Sequence, residues 1–546
     1  MKTIVYIIGF SGTGKSVSSE LAAKSLGWKY YDMDKIIEQE SGKSINEIFD
    51  SNGESWFRKK ESELLIRLSE ESNCIISTGG GVPISKDNME KMNQTGYVIS
   101  LDASISTIIK RLDQNNVDGE NEKTIRPKLS NFTHEKIKKL KSERSDAYSS
   151  SNYIINTNSK TVEEVANNIV YETEKYISDL IANSLSKIDS FCTNVKSKND
   201  QYGVFVGLDI YKNLPQVISN LTSRDKFYLL ADDGSKSYMR DIQKIFELAG
   251  KNTTTFVIPQ GESSKSLSIS SKIYEWLSIE HADRGDMLLG IGGGVVGDIT
   301  GFVASTYMRG IKFILLPTTL LSMSDSSIGG KTAVDVNNIK NLVGSFYNPS
   351  LVYSDLRSLN TLPQRQISSG WAELIKHGFI KDKILLRDMM DISNYKDIDQ
   401  NISEIIKRSI QIKGDIVTVD ENEKYGSRIM LNYGHTLGHA IESSTNLEQY
   451  THGEAVSIGM TFAAKLSHHL NMLSLDELDF HNNILQKFDL PIKTNNIDWD
   501  KCYELMLNDK KVINGQINWI LLETLGKSIV KNDITKEIIY KVFESM

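Results

Sequence analysis

Over residues 1 to about 175, short apolar runs alternate with stretches whose apolar positions recur every three to four residues. That is the pattern of strands interleaved with amphipathic helices, and so of an α/β fold with a parallel sheet. Lys2 to Ile8, Ile75 to Ser77 and Tyr97 to Leu101 predict strands, and Thr161 to about Leu185 has the helical period that closes this unit. From Ser184 to Gln201 the pattern fades into Ser, Lys and Asn with little apolar signal beyond Phe191, which predicts a linker. A second α/β run begins at Tyr202 to Gly207, with strands predicted at Lys226 to Ala231, Thr255 to Pro259, Met287 to Gly290 and Lys312 to Leu316. From Pro363 long amphipathic helices take over, with few strand signals before Asn518 to Leu522. The expected organisation is an α/β unit over 1–180, a linker over 181–201, a Rossmann-like α/β domain over 202–362 and a mainly helical domain over 363–546.

Composition adds exclusions. A chain of 546 residues exceeds what one core can organise, and 39% hydrophobic with 24% charged residues is ordinary globular material. A formal charge of −7 offers no broad basic surface, so nucleic acid and anionic membranes are not expected partners. Cys74, Cys192 and Cys502 lie far apart in no paired motif, giving no disulfide or thiolate-metal signal and fitting a reducing compartment. The apolar run Ile4 to Phe10 leads straight into Gly-Thr-Gly-Lys-Ser without a cleavage-type site, and no run approaches the ~18 residues of a membrane span. A cytoplasmic protein is the expectation.

Gly9-Phe10-Ser11-Gly12-Thr13-Gly14-Lys15-Ser16 matches G-x-x-x-x-G-K-[ST] between a strand and a helix. Backbone N–H groups around Gly12, Thr13 and Gly14 can turn onto phosphate oxygens, Lys15 can reach the β/γ-phosphates of ATP, and the Ser16 hydroxyl can ligate Mg²⁺. Gly329-Gly330-Lys331-Thr332 is no second copy, because the leading glycine would fall on Asp325. Asp32 and Asp34, two apart at a strand end, can share one pocket face; Phe57-Arg58 and Thr78-Gly79-Gly80-Gly81 follow. With Gly53-Glu54-x-x-Phe57-Arg58-x-x-Glu61, Arg126-Pro127 and Arg144 ahead of Tyr148, residues 1 to about 175 resemble shikimate kinase. The resemblance implies transfer of the ATP γ-phosphate to the 3-hydroxyl of shikimate. It assigns Asp34 to the shikimate hydroxyls and their deprotonation, Arg58 and Arg144 to its carboxylate, and Gly80 to close approach of the ring. Asp32 would help place Mg²⁺, and Arg126 would neutralise the phosphoryl group from a mobile lid. The chain departs from the family in having Asp146 where proline is usual and an acidic stretch, Asn115 to Lys123, before Arg126; Lys160 is the nearest basic residue to the expected adenine side.

In the second half, Gly292-Gly293-Gly294-Val295-Val296-Gly297-Asp298 is a glycine-rich strand-to-helix turn that can accept a pyrophosphate. Glu262 and Lys265 are placed for ribose and phosphate contact, Pro317-Thr318-Thr319 ends a strand with two hydroxyls, and Asp325 and Lys331 bracket a Ser-Ser-Ile-Gly-Gly turn. His435 and His439 lie four apart on one helical face, which by spacing alone makes both metal ligands; Glu373 and His452 are further candidates. His468 and His469, outside any such cluster, are assigned no role.

These segments, with Tyr307-Met308-Arg309-Gly310, Lys340-Asn341 and Asn432-x-Gly-His-Thr-x-Gly-His-Ala-Ile-Glu442, resemble 3-dehydroquinate synthase over about residues 200 to 546. The resemblance implies one divalent metal, Zn²⁺ or Co²⁺, on Glu373, His435 and His452, and moves His439 to the substrate phosphate. It implies NAD⁺ against Glu262, Lys265, Gly294, Gly297, Asp298, Thr318, Thr319, Lys331 and Lys340. It also implies a cationic pocket from Lys331, Lys376, Lys413, Arg309, Arg428 and one of Lys510 or Lys511, completed by Asn432 and His435. Lys331, Lys376, His435 and His439 would be catalytic. The implied reaction closes 3-deoxy-arabino-heptulosonate 7-phosphate to 3-dehydroquinate with loss of phosphate, through oxidation and re-reduction of a ring alcohol, in a homodimer built through this half. Rivals on the same residues are a cyclase for another heptulose phosphate, discriminated by Arg428 and the lysine near 510, and a polyol dehydrogenase with net NADH formation. For the first half the rival is a nucleotide-binding regulatory module.

Overall fold

The computed structural model describes residues 3–117, 134–197, 200–337, 339–420, 428–445, 449–494, 497–507 and 517–546. It divides into two compact units, Met1–Leu180 and Ile181–Met546.

The first unit is a five-stranded parallel sheet of β1 (Ile4–Gly9), β2 (Lys29–Asp32), β3 (Cys74–Ser77), β4 (Tyr97–Asp102) and β5 (Tyr153–Asn156), in the order β2-β3-β1-β4-β5. β1 is central and every residue of it is buried, which is why it reads as an unbroken apolar run. Ile4, Tyr6 and Ile8 enter one core, and Val5 and Ile7 the other, where Ala22 and Ala23 of the Lys15–Leu26 helix and Ile169 of the Val162–Leu185 helix meet them. β5 escapes the hydrophobic pattern because it is an edge strand whose residues are mostly exposed.

The second unit holds a seven-stranded sheet of β6 (Phe191–Lys196), β7 (Gln201–Gly207), β8 (Lys226–Asp232), β9 (Asn252–Ile258), β10 (Met287–Gly292), β11 (Lys312–Pro317) and, after the hairpin β12 (Lys331–Val336) and β13 (Ile339–Phe346), β14 (Leu351–Asp355). The order is β6-β7-β14-β11-β10-β8-β9, parallel except for β6. The segment expected to be a linker thus contains a strand. Polar residues on β6 hide its alternation, with Thr193 and Val195 turned inward. Its partner is far away in sequence: the Gln400–Val419 helix packs on it, Thr418 Oγ1 accepting from Lys196 N at 3.1 Å. β8 leads outward to β9 and β10 leads the other way to β11, so a crevice opens at the C-terminal ends of β8 and β10, where open parallel sheets bind ligands.

Beyond β14 come the helices Gln364–Lys381, Lys383–Asp391, Gln400–Val419, His435–Ser444, His452–His469, Leu475–Lys487, Trp499–Leu507 and Lys536–Phe543, with the hairpin β15 (Trp519–Thr524) and β16 (Lys527–Lys531). They share one buried cluster with the sheet: Val204, Leu230 and Leu288 belong to the same core as Trp371, Phe379 and Phe462. Among the described residues no helix is long and apolar enough to cross a membrane.

Candidate functional sites

In the first unit β1 ends at Gly9, and the chain turns through Gly12 and Gly14, both at positive φ, into the Lys15–Leu26 helix. A Cβ on Gly9 would overlap the Leu101 carbonyl oxygen, so this turn needs its glycine. Lys15, buried, donates from Nζ to the Gly9 and Phe10 carbonyls at 2.8 and 2.9 Å, and Thr13 Oγ1 donates to Phe10 O at 2.8 Å. Arg111 fastens the loop from outside, donating to Thr157 O at 2.8 Å and to Thr13 O at 3.4 Å. Sequence reasoning missed it, since a lone arginine on an amphipathic helix reads as a solvated charge. Asp32 caps the Met33–Ser41 helix, accepting from Asp34 N at 3.1 Å, and accepts from Tyr30 Oη at 3.2 Å; the same hydroxyl reaches Ser16. Ser16 and Asp32 therefore stand on one side of the loop, a fit for Mg²⁺.

Around Gly79–Gly81 the expected acceptor residues converge. A Cβ on Gly79 would lie 2.7 Å from Asp34 Oδ1 and 2.6 Å from Glu61 Oε1, and one on Gly81 would overlap Arg58. Arg58 donates to Glu61 Oε2 at 2.6 Å and to Glu54 Oε1 at 3.1 Å. Arg144 Nη1 and Tyr148 Oη both donate to Gly80 O, at 3.0 and 2.8 Å. Burial pushes the Glu61 carboxyl up, against the pull of Arg58 and Arg144. Asp146 sits in the first turn of the short Ser145–Ser149 helix, and Lys160 is bound to Asn168 at 3.3 Å. Arg126 lies outside the described residues.

In the second unit a cleft of about 810 Å³ lies at the ends of β8, β10 and β11. Glu262, Lys265, Gly294, Asp298, Thr318 and Thr319 line it, with Lys340 3.8 Å from Glu262. Lys265 bridges Asp298 and Asn341, and burial still pushes the Asp298 carboxyl up to about 6. Gly297 is not in the lining; it faces the sheet, its Cβ direction 3.9 Å from Leu315. Asp232, which closes β8 and accepts from Ser235 N at 2.8 Å, lines the cleft and was missed, although a strand ending in an acid was a readable signal. Lys331 begins the β12 hairpin, exposed and outside the lining. Arg309 follows the Gly294–Thr306 helix, whose other end opens on the cleft. Thirteen residues at 1.5 Å each put it about 20 Å off. Lys510 and Lys511 lie outside the described residues.

His452 and Glu442 belong to the same lining, and there the metal candidates meet. Glu373 Oε1 is 3.5 Å from His435 Nε2 and 3.7 Å from His452 Nε2, and the three donors lie within 4.8 Å of one another. His435 Nδ1 faces the Tyr433 carbonyl at 3.2 Å and His452 Nδ1 faces Glu442 at 3.4 Å, so each ring turns its Nε2 to Glu373. His439 has its ring 5.3 Å from that of His435 and 6.3 Å from that of His452, but the donors that converge are Glu373, His435 and His452, so four-residue spacing does not give the set. Glu373 is fully buried, and its Oε1 has no hydrogen-bond partner. Burial alone would raise its carboxyl, but Lys376, then His435 and His452, hold it well below the usual range. Burial likewise opposes charge on His452, yet Glu373 and Glu442 raise it to about 10. A carboxylate oxygen with two imidazole nitrogens turned towards it is a donor set that a divalent ion fits.

Behind the triad, Lys376 pairs with Glu373, and Lys413 donates to Asp325 O at 2.6 Å and to its carboxylate; burial brings Lys413 down to about 8. Arg428 lies so close on Gly329 that a Cβ there would overlap it, and Asn432 ends the same short turn. His377, also missed, is buried one helical turn from Glu373 with Nδ1 on Ser409 Oγ at 2.8 Å.

Close backbone crossings fix these elements. Gly453 N donates to Ser369 Oγ at 3.0 Å, a Cβ on Gly453 would overlap Ser369 O, and one on Gly459 would overlap Gly434 O. A Thr451/Glu454 capping box starts the helix at His452, and Arg365 clamps Glu454 with two bonds of 2.7 Å. Gly453→Ala is expected to cost about 1–3 kcal/mol in denaturant unfolding of this unit and to weaken zinc binding. Unchanged stability and affinity would show that the crossing is not tight.

Family models match in three places: shikimate kinase over residues 11–174, the N-terminal part of 3-dehydroquinate synthase over 255–369 and its C-terminal part over 370–512. The 3-dehydroquinate synthase of Acetivibrio thermocellus is 38% identical over 368 residues, covering 64% of this chain and 99% of that protein. That of Methylacidiphilum infernorum is 39% identical over 343 residues, covering 63% and 94%. A crystal structure of 2-deoxy-scyllo-inosose synthase with carbaglucose-6-phosphate, NAD⁺ and Co²⁺ is 27% identical with a TM-score of 0.58, over 65% of this chain and 99% of that one.

Proposed function

This chain belongs to the 3-dehydroquinate synthase family and carries a shikimate-kinase-like module ahead of it, and from that premise we propose that it catalyses two reactions of one biosynthetic route. The first unit phosphorylates shikimate from ATP and Mg²⁺; the second closes 3-deoxy-arabino-heptulosonate 7-phosphate to 3-dehydroquinate. The observation that carries the second reading is the buried, unpartnered Glu373 Oε1 between His435 and His452, at the inner end of the dinucleotide cleft.

Bound there, a divalent ion (Zn²⁺ or Co²⁺) supplies Lewis acidity to a vicinal diol, and NAD⁺ supplies reversible oxidation of a ring alcohol. The chain does the rest. Glu262, Lys265, Asp298, Thr318, Thr319 and Lys340 seat the dinucleotide. Lys376, Lys413 and Arg428 offer buried cations to a phosphate and a carboxylate, and Asn432 and His439 complete the substrate side. In the first unit the Gly12–Ser16 turn and Lys15 cradle the phosphates, with Ser16 and Asp32 placed for Mg²⁺. Arg58 and Arg144 take the shikimate carboxylate beside Gly80, and Asp34 takes the hydroxyl proton. Exposed Ile339, Leu342, Val343 and Phe346 on the outer strand of the β12–β13 hairpin support a homodimer through the second unit. Cys74, Cys192 and Cys502 are all free, which fits a cytoplasmic location.

The test is phosphate release from heptulosonate phosphate with catalytic NAD⁺ and Zn²⁺, followed together with absorbance at 340 nm. Stoichiometric phosphate without NADH accumulation is expected. NADH without phosphate would replace the synthase by a dehydrogenase, and silence in both channels would point to a different heptulose phosphate.

A further inference from the structure

The three metal donors come from three separate segments, and one buried side chain outside the site touches all three directly or through one neighbour. His481, on the Leu475–Lys487 helix, is completely buried. Its ring stacks on Phe379, with centroids 4.0 Å apart and planes at 16°, and Phe379 lies on the helix that carries Glu373. Its Nε2 is 3.1 Å from the Tyr433 hydroxyl. Tyr433, itself buried, donates that hydroxyl proton to Met460 O at 3.2 Å, on the helix that begins with His452. The backbone carbonyl of Tyr433 is the group that faces His435 Nδ1 at 3.2 Å.

The Tyr433 hydroxyl lies between Met460 O and His481 Nε2, and the same imidazole meets the Asn482 side chain. Burial keeps this imidazole neutral, its pKa brought down to about 3. Tyr433 is thus held at both ends: its hydroxyl by His481 and Met460, its carbonyl against His435. A carbonyl that cannot drift keeps the proton of His435 on Nδ1 and its Nε2 lone pair aimed at the position between Glu373 and His452.

We propose that His481 is the positioning residue of the metal triad, acting through the Tyr433 hydroxyl and the Phe379 ring. It rests on the reading of Glu373, His435 and His452 as a metal site. Partners of this kind behind metal-bound histidines change metal affinity by roughly 10- to 100-fold when removed, while a merely structural role would weaken the neighbouring dinucleotide cleft as well.

The experiment uses the full chain, stripped of metal, as wild type, His481→Phe, Tyr433→Phe and the double variant. His481→Phe keeps an aromatic ring on Phe379 and loses the ring nitrogen that meets Tyr433; Tyr433→Phe removes the same hydrogen bond without touching His481. Zinc affinity is read by competition with a chromogenic chelator and NAD⁺ affinity by equilibrium dialysis. Each single variant is expected to raise the zinc Kd about 10- to 100-fold, the double variant no further than either single, and NAD⁺ affinity to stay at the wild-type value. Zinc affinity equal to wild type in both single variants overturns the proposal. So does parallel weakening of zinc and NAD⁺, or a double variant in which the two losses multiply. If the wild type itself binds no zinc, the metal reading falls first and the proposal with it.

Discussion

Glu373→Gln is expected to end cyclisation, lowering kcat by about a thousandfold, some 4 kcal/mol of barrier, and taking bound zinc from one per chain to none. The amide keeps the size of the side chain and removes its charge. Lys376 pairs with that carboxylate at the bottom of the site with almost no exposure, so the substitution also leaves a buried ammonium without its counterion. Breaking such a pair costs about 3–5 kcal/mol. The variant should therefore unfold more readily in the second unit, while shikimate phosphorylation continues and serves as the internal control. Glu373→Asp separates the two effects: it keeps the charge near Lys376 but withdraws the oxygen from His435 and His452, so stability should recover more than zinc binding. A Glu373→Gln protein that holds a full equivalent of zinc and still releases phosphate would sink the metal assignment.

Asp34→Asn is expected to lower kinase turnover by about 10²- to 10⁴-fold, the usual share of a general base, with the synthase rate unchanged. Two carboxylates approach Gly79, those of Asp34 and Glu61. Glu61 is bound by Arg58 at 2.6 Å and is almost fully buried, which makes it the support of the arginine proposed above to meet the substrate carboxylate. Replacing Glu61 by Gln should accordingly act on the KM for shikimate more than on kcat. If the two variants show the same split between KM and kcat, the division of labour is wrong.

What the sequence disclosed follows from how local each signal is. β1 and β10 are buried on both faces, so their apolar runs stand out. β6 does not stand out, because what buries it is a helix some two hundred residues later. The phosphate loop, the glycine turn after β10 and the Glu373 and His435 segments are short motifs whose chemistry is carried by neighbouring residues, and these were readable. The choice of His452 over His439 as third donor is a matter of helix crossing, which spacing along one helix cannot reveal. Arg309 follows the far end of the glycine-turn helix, a separation from the cleft that its closeness in sequence does not show. Arg111 and Asp232 were overlooked because a single charge acquires a role only from what it touches.

The origin of the three donors in separate segments has a thermodynamic consequence. An unfolded chain holds Glu373, His435 and His452 far apart and offers the ion no comparable site, so the free energy of binding is also free energy of folding. By mass action, free metal at a hundred times its Kd adds about 2.7 kcal/mol to the native state. The Tm of the second unit is then a function of metal activity, and a chelator acts on it as a denaturant without touching the polypeptide. Variants that weaken coordination and variants that weaken packing will rank differently in saturating zinc and in EDTA, and the gap between the two rankings measures how much of the fold the ion holds together.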